Sequence, residues 1–86
     1  MNNADWVHLN ELLPGEKAIV RRYTQNEEIH CRLREMGLTR GVTVLMKRLA
    51  PFGDPMELVV RGFHLSLRKA DAETILVEKL ALVPSS

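Results

Sequence analysis

The sequence lacks several features that mark whole classes of proteins. Cys31 is the only cysteine, so no disulfide can form within the chain and no Cys-x-x-Cys metal motif exists. The five glycines are isolated in the sequence, and no glycine-rich loop that could cradle a phosphate occurs. No G-x-S-x-G nucleophile elbow is present, and no pattern beside Cys31 would activate its thiol. We therefore expect no catalytic residue, no bound cofactor and no enzymatic activity.

Long apolar runs and an excess of one charge are also missing. No run approaches the roughly 20 apolar residues that span a bilayer, and the first residues do not resemble a signal peptide. We therefore expect a cytoplasmic protein that does not insert into a membrane. The formal net charge is +1. This value is too small to indicate nucleic acid as the main partner.

Few residues could ligate a metal ion. The histidines are His8, His30 and His64, and only His30 adjoins the single thiol. Neighbouring residues on a helix point about 100° apart, so His30 and Cys31 make a poor chelating pair. We expect surface groups and no metal site within one chain, while a metal held between two molecules stays open. The basic residues are predicted to form a solvated mixed surface, with a local basic patch as the alternative.

What remains is the pattern of a small mainly β domain. The chain has 86 residues, of which 45% are hydrophobic. Asn26 is a suitable helix N-cap, and Ile29, Leu33 and Met36 then form an apolar stripe that Gly37 ends. Helical turns are expected over 9–13 and 69–74. Strands are predicted over 17–23, 42–49, 56–61, 63–68 and 75–82. The pattern predicts a small closed β-barrel over 9–82, a loose tail over 1–8 and another over 83–86.

Two segments are candidates for contact with a partner. The apolar stripe is predicted to lie in the core, but Leu33, Met36 and Leu38 would form an exposed patch if the barrel could not cover them. The second segment is the loop over 50–55, where Pro51 and Pro55 flank turn residues that include Asp54. Glycines are expected at structural turns, and these are Gly15, Gly37, Gly41, Gly53 and Gly62.

An ordered set of short motifs resembles the FeoA family over about residues 9–80. The motifs are residues 12–16 (LLPGE), 32–41 (RLREMGLTRG), 50–55 (APFGDP), 61–62 (RG), 65–68 (LSLR) and 72–75 (AETI). The resemblance implies an SH3-like β-barrel with one inserted amphipathic helix. It also implies a non-enzymatic, cytoplasmic accessory protein of bacterial ferrous iron uptake.

The expected partner is the membrane ferrous iron transporter of the same system, which carries an N-terminal G-protein domain. Docking on this transporter would modulate it, with the helix and the loop over 50–55 as the contact surface. The resemblance leaves the oligomeric state open, including a homo-oligomer. Two alternatives remain: an SH3-like module that binds nucleic acid, and an iron-binding chaperone.

Overall fold

The structure is a computed structural model that describes residues 6–24 and 27–80. Within these ranges, six strands form one sheet in the order β1-β6-β2-β3-β4-β5, and every neighbouring pair is antiparallel. The strands are β1 (Trp6–His8), β2 (Lys17–Tyr23), β3 (Thr43–Leu49), β4 (Met56–Val60), β5 (Phe63–Leu67) and β6 (Ile75–Lys79). The helices are α1 (Glu27–Glu35) and the short α2 (Lys69–Ala72), and a 3₁₀ turn covers Leu9–Glu11. The prediction of a mainly β fold with one inserted helix is confirmed.

The predicted loose tail is wrong at its last three residues. Trp6–His8 forms β1 and pairs with β6, with Trp6 opposite Glu78 and His8 opposite Leu76. A three-residue strand is too short to show an alternating pattern, although tryptophan and valine both favour strands. Residues 1–5, the predicted N-cap Asn26 and the tail over 83–86 lie outside the described residues.

The sequence predicts a closed barrel, whereas the strand order of the described residues leaves the sheet with two open edges. Among the described residues, no pairing joins β1 to β5, which are the first and last strands of the order. Phe63 at the start of β5 is 72% exposed. In the same part of the chain, no helix is long and apolar enough to cross a membrane.

The core is built mainly from inward-facing strand residues, to which α1, α2 and the 3₁₀ turn each add buried side chains. In β4, Met56, Leu58 and Val60 are buried and share one face, as the alternating pattern predicts. Leu33 is the buried residue of α1. The buried apolar cluster consists of Leu9, Leu12, Ala18, Val20, Leu33, Leu38, Val42, Val44, Met46, Met56, Leu58, Val60, Leu67, Ala72, Ile75 and Val77.

A Schellman motif ends α1 and explains why Leu33 and Leu38 are both buried. The amide of Leu38 donates to the carbonyl of Leu33 at 3.0 Å, and the amide of Gly37 donates to the carbonyl of Arg34 at 2.9 Å. Gly37 has a φ of 102°, which an L-residue rarely adopts. This geometry turns the chain back, so that the apolar residues on either side of the reversal both face the core. An exposed patch of Leu33, Met36 and Leu38 is therefore wrong: the two leucines are 0% exposed, and Met36 is half-buried.

We expect Leu33→Ala to lower the free energy of unfolding by about 2–5 kcal/mol, because it removes buried methyl groups and leaves a cavity under the helix. Urea denaturation followed by circular dichroism measures this loss. Leu13→Ala is the matched control, since Leu13 is 61% exposed and its truncation should change stability by less than about 0.5 kcal/mol. Equal effects of the two substitutions would contradict the assignment of Leu33 to the core.

Candidate functional site

A concave basic pocket of about 260 Å³ lies beside the C-terminal half of α1 and opens to solvent. Its lining comes from three separate elements: β2, α1 and the turn that joins α1 to β3. The lining residues are Arg22, Tyr23, His30, Arg34 and Arg40. Three guanidinium groups therefore surround one small depression.

Backbone hydrogen bonds clamp the turn after α1 onto β2, and this clamp brings Arg40 to the pocket. The amide of Gly41 donates to the carbonyl of Val20 at 2.7 Å, and the amide of Val20 donates to the carbonyl of Val42 at 2.9 Å. The hydroxyl of Tyr23 donates a short hydrogen bond to the carbonyl of Leu38. The position of Arg40 is therefore set by main-chain contacts on both sides of it.

A β-bulge in β2 directly precedes the two consecutive residues that line the pocket. The pairing with β6 shifts between Val20 and Arg22, so Arg21 is the extra residue. Bulges commonly redirect side chains beside functional sites. Arg21 forms an ion pair with Glu78 at 2.7 Å, whereas Arg22 and Tyr23 both line the pocket.

The helix contributes His30 and Arg34, which are four residues apart and therefore on the same face. The imidazole of His30 packs against the ring of Tyr23, with centroids 4.7 Å apart. Its Nε2 atom is buried and has no hydrogen-bond partner among the described residues. His30 is therefore half-buried, because one side of its ring packs onto β2 while the residue still lines the open pocket. The guanidinium of Arg34 lies 3.3 Å from the exposed thiol of Cys31.

The pocket is strongly positive. None of the described residues that line it is acidic, and none of its three arginines has a carboxylate partner in that part of the chain. Burial raises the pKa of the Tyr23 hydroxyl above its usual 10.0, while the positive charges of Arg34 and Arg40 act in the opposite direction. Tyr23 consequently stays protonated at neutral pH, as its hydrogen bond to Leu38 requires.

Comparison with known proteins identifies the family. The model of the FeoA domain matches residues 7–79 of the sequence. The chain belongs to the FeoA family.

Solved FeoA structures share the fold. A FeoA-like protein from Clostridium acetobutylicum is 34% identical, with a TM-score of 0.85, and the match covers 96% of each chain. A zinc complex of FeoA from Stenotrophomonas maltophilia, described as a procaryotic SH3 domain protein, is 30% identical with a TM-score of 0.73. That match covers 84% of this chain and 89% of the other. The predicted SH3-like architecture is confirmed.

A curated relative contains the domain as a small part of a larger polypeptide. It is an Fe(2+) transport protein A/Fe(2+) transporter FeoB fusion protein of Porphyromonas gingivalis strain W83, and the match is 32% identical over 75 residues. The match covers 87% of this chain but only 9% of that protein.

The loop over 50–55 is a second exposed feature of this FeoA domain. Its backbone is held by hydrogen bonds from the amide of Ala50 to the carbonyl of Pro55 at 3.0 Å and from the amide of Gly53 to that of Ala50 at 2.7 Å. The carboxylate of Asp54 accepts a hydrogen bond from the amide of Lys69 at 3.0 Å, so the loop is tied to the start of α2. Phe52 projects from this anchored loop and is 98% exposed.

The contact residues predicted from the sequence fall into two groups: those at the end of α1 lie in or against the core, and those in the loop over 50–55 lie at the surface. Pro51 and Asp54 are exposed and Pro55 is half-buried, so the loop presents them at the surface with Phe52. The sequence prediction did not single out Phe52, whose position between Pro51 and Gly53 was the available signal. It also missed the pocket, although the i, i+4 spacing of His30 and Arg34 indicates a shared helix face.

The structure offers no cluster of metal ligands in residues 6–24 and 27–80: no group of three or more His, Cys, Asp or Glu side chains converges there. His8 is engaged elsewhere, since its Nδ1 lies 2.7 Å from the carbonyl of Glu73. His64 is exposed on β5.

We expect Arg34→Gln to raise the pKa of Tyr23, because it removes a positive charge that favours the tyrosinate. Tyr23 is the only tyrosine, so the ultraviolet absorbance of tyrosinate reports its titration directly. The pKa of Tyr23 is already raised in the folded state, so the stability contributed by its neutral hydroxyl is present below the unfolded pKa. That stability is lost as pH rises through the folded pKa.

The control for this titration is Arg48→Gln, because Arg48 pairs with Glu57 at 2.8 Å on the β3–β4 ladder and does not line the pocket. This variant should leave the pKa of Tyr23 unchanged. A lower pKa in Arg34→Gln than in the unmodified protein would contradict the arrangement described for the pocket.

Proposed function

We propose that this chain is a non-enzymatic, cytoplasmic accessory protein of ferrous iron uptake that docks on the cytoplasmic part of a membrane ferrous iron transporter and modulates it. The fusion protein of Porphyromonas gingivalis is the observation that carries the proposal, because it joins a FeoA segment and a transporter in one polypeptide. A covalent link raises the effective concentration of two partners to the millimolar range. A domain that is not linked to the same partner lacks this advantage, so its own contacts must provide a higher binding affinity.

The loop over 50–55 is the proposed docking surface. Interface hot spots are enriched in large, well-positioned side chains, and aromatic residues are prominent among them. Phe52 is an aromatic side chain that is almost fully exposed in the isolated domain. The hydrogen bonds of Ala50, Gly53 and Asp54 hold its loop in one conformation, which lowers the entropy lost on binding. Pro51 and Pro55 are part of the same surface.

Two of the residues predicted as contacts from the sequence are not part of this surface. Leu33 and Leu38 are fully buried, so their contribution is to support the helix end. Met36 is half-buried and packs against the core, which leaves part of its side chain for a partner. The nucleic-acid module and the iron-binding chaperone remain alternatives, and neither has a residue constellation in the described part of the chain that favours it over docking.

We expect Phe52→Ser to weaken retention of the intact transporter at least about tenfold when this protein is used as bait for detergent-solubilised membranes. The same substitution should reduce uptake of radiolabelled ferrous iron in cells whose own copy of the protein has been removed. Loss of an aromatic anchor from the centre of an interface is the physical reason.

Phe63→Ser is the matched control, because Phe63 is also an exposed phenylalanine but lies on the edge strand β5. It should change retention by less than about twofold. Circular dichroism and urea denaturation verify that both variants are folded. If the unmodified protein does not retain the transporter, docking is refuted. If Phe52→Ser retains it fully, the loop is not the docking surface.

A further inference from the structure

We propose that the basic pocket formed by Arg22, Arg34, Arg40 and His30 binds a phosphate group, either as inorganic phosphate or as a phosphate monoester on a small molecule. The site does not depend on docking to a transporter. It is assembled within one chain from β2, α1 and the turn after α1.

The first observation is that three arginines without an ion pair in the described part of the chain line the same cavity. Other cations, such as Lys17, Arg61 and Arg68, also lack an ion pair among the described residues, but they do not line it. Arg21, Arg32, Arg48 and Lys79 each form an ion pair with a nearby carboxylate. The three pocket arginines have no carboxylate partner among the described residues, and they surround a single cavity. Positive charges that line a concave surface concentrate the local potential and attract anions.

The second observation is the unpartnered Nε2 of His30. A buried polar atom without a hydrogen bond is destabilising, and most such atoms in folded proteins have a partner. Because this nitrogen is closed off from solvent, the imidazole ring has to turn toward the pocket before Nε2 can donate to an anionic oxygen. The hydroxyl of Tyr23 already donates to the carbonyl of Leu38, so the imidazole is the one side-chain donor of the lining, besides the guanidinium groups, that has no partner at Nε2 among the described residues.

Charge and size favour phosphate over a carboxylate. Three guanidinium groups match a dianion better than a monoanion, and each guanidinium presents a planar fork that can bind two phosphate oxygens. The cavity of about 260 Å³ lies just below the range of about 300–1,000 Å³ for sites that enclose drug-sized ligands. It therefore suits one small anionic group.

A single-stranded nucleic acid fits this pocket less well. Recognition of that kind combines phosphate contacts with exposed aromatic faces on which bases stack. The aromatic ring of the pocket is Tyr23, which is half-buried and packs against the imidazole of His30. The pocket thus offers contacts to a phosphate without a platform for a base.

The test is a titration of the isotope-labelled full chain with inorganic phosphate, and separately with glycerol phosphate, at neutral pH. The arginine Nε–H and histidine resonances are followed by nuclear magnetic resonance. Sodium chloride at matched ionic strength is the reference. We expect saturable shifts confined to Arg22, Arg34, Arg40 and His30, with a dissociation constant of about 1 mM or lower. Tighter binding of one probe identifies the source of the phosphate group.

The variants Arg22→Gln and Arg40→Gln should each weaken binding about tenfold or more, because each removes charge-assisted hydrogen bonds. Both residues are exposed, so either variant should remain folded. Arg48→Gln, outside the pocket, should bind as the unmodified protein does. Three results would overturn the proposal: resonance shifts that do not saturate, the same shifts in sodium chloride alone, or weakening of phosphate binding by Arg48→Gln as large as that by Arg22→Gln and Arg40→Gln. Binding of single-stranded RNA without binding of either small probe would also overturn it.

Discussion

The reversal of the chain at the end of α1 is the constraint on which the rest of this domain depends. One pair of hydrogen bonds around Gly37 ends the helix and directs Leu33 and Leu38 into the same core. The reversal also delivers the following turn to β2, where the amide of Gly41 and the carbonyl of Val42 complete the contact with Val20. A helix that continued past Glu35 would carry Leu38 away from the sheet. The packing of the helix and the start of β3 are therefore fixed by the same local geometry.

The basic pocket is a consequence of this reversal and of the hydrogen bonds that hold the following turn on β2. In a regular strand, Arg22 and Tyr23 would point to opposite faces. The bulge at Arg21 precedes this pair, which stays in regular register with Leu76 and Ile75 at the end of the strand. Both residues nevertheless line the pocket, and the clamped turn places Arg40 beside them. The three arginines meet because this turn brings together elements that are distant in sequence.

The sequence predicts the elements of this fold that follow from a local residue pattern. It predicts less well the elements that exist only through pairing with a distant strand. Strand β2 and the alternating burial of β4 follow from side-chain periodicity, and the end of α1 follows from Gly37. The strand Trp6–His8 has no periodic signal of its own and exists through its ladder with β6. The spacing of His30 and Arg34 indicates their shared helix face, but the convergence of Arg22 and Arg40 with them depends on the turn held on β2, which has no signal in the sequence pattern.

The charge in the pocket is compatible with a stable domain because the cavity opens to water. Like charges that are buried together would cost several kcal/mol, but solvent and salt screen exposed guanidinium groups strongly. The ring of Tyr23, with its hydrogen bond to Leu38, and the imidazole of His30 form the more buried wall of the site. The hydrogen-bonded backbone fixes where the three arginines start, but their exposed side chains still have to be ordered when an anion binds, at about 0.5–1.5 kcal/mol each. The site therefore differs from a merely basic surface in the fixed backbone that brings its arginines to one cavity.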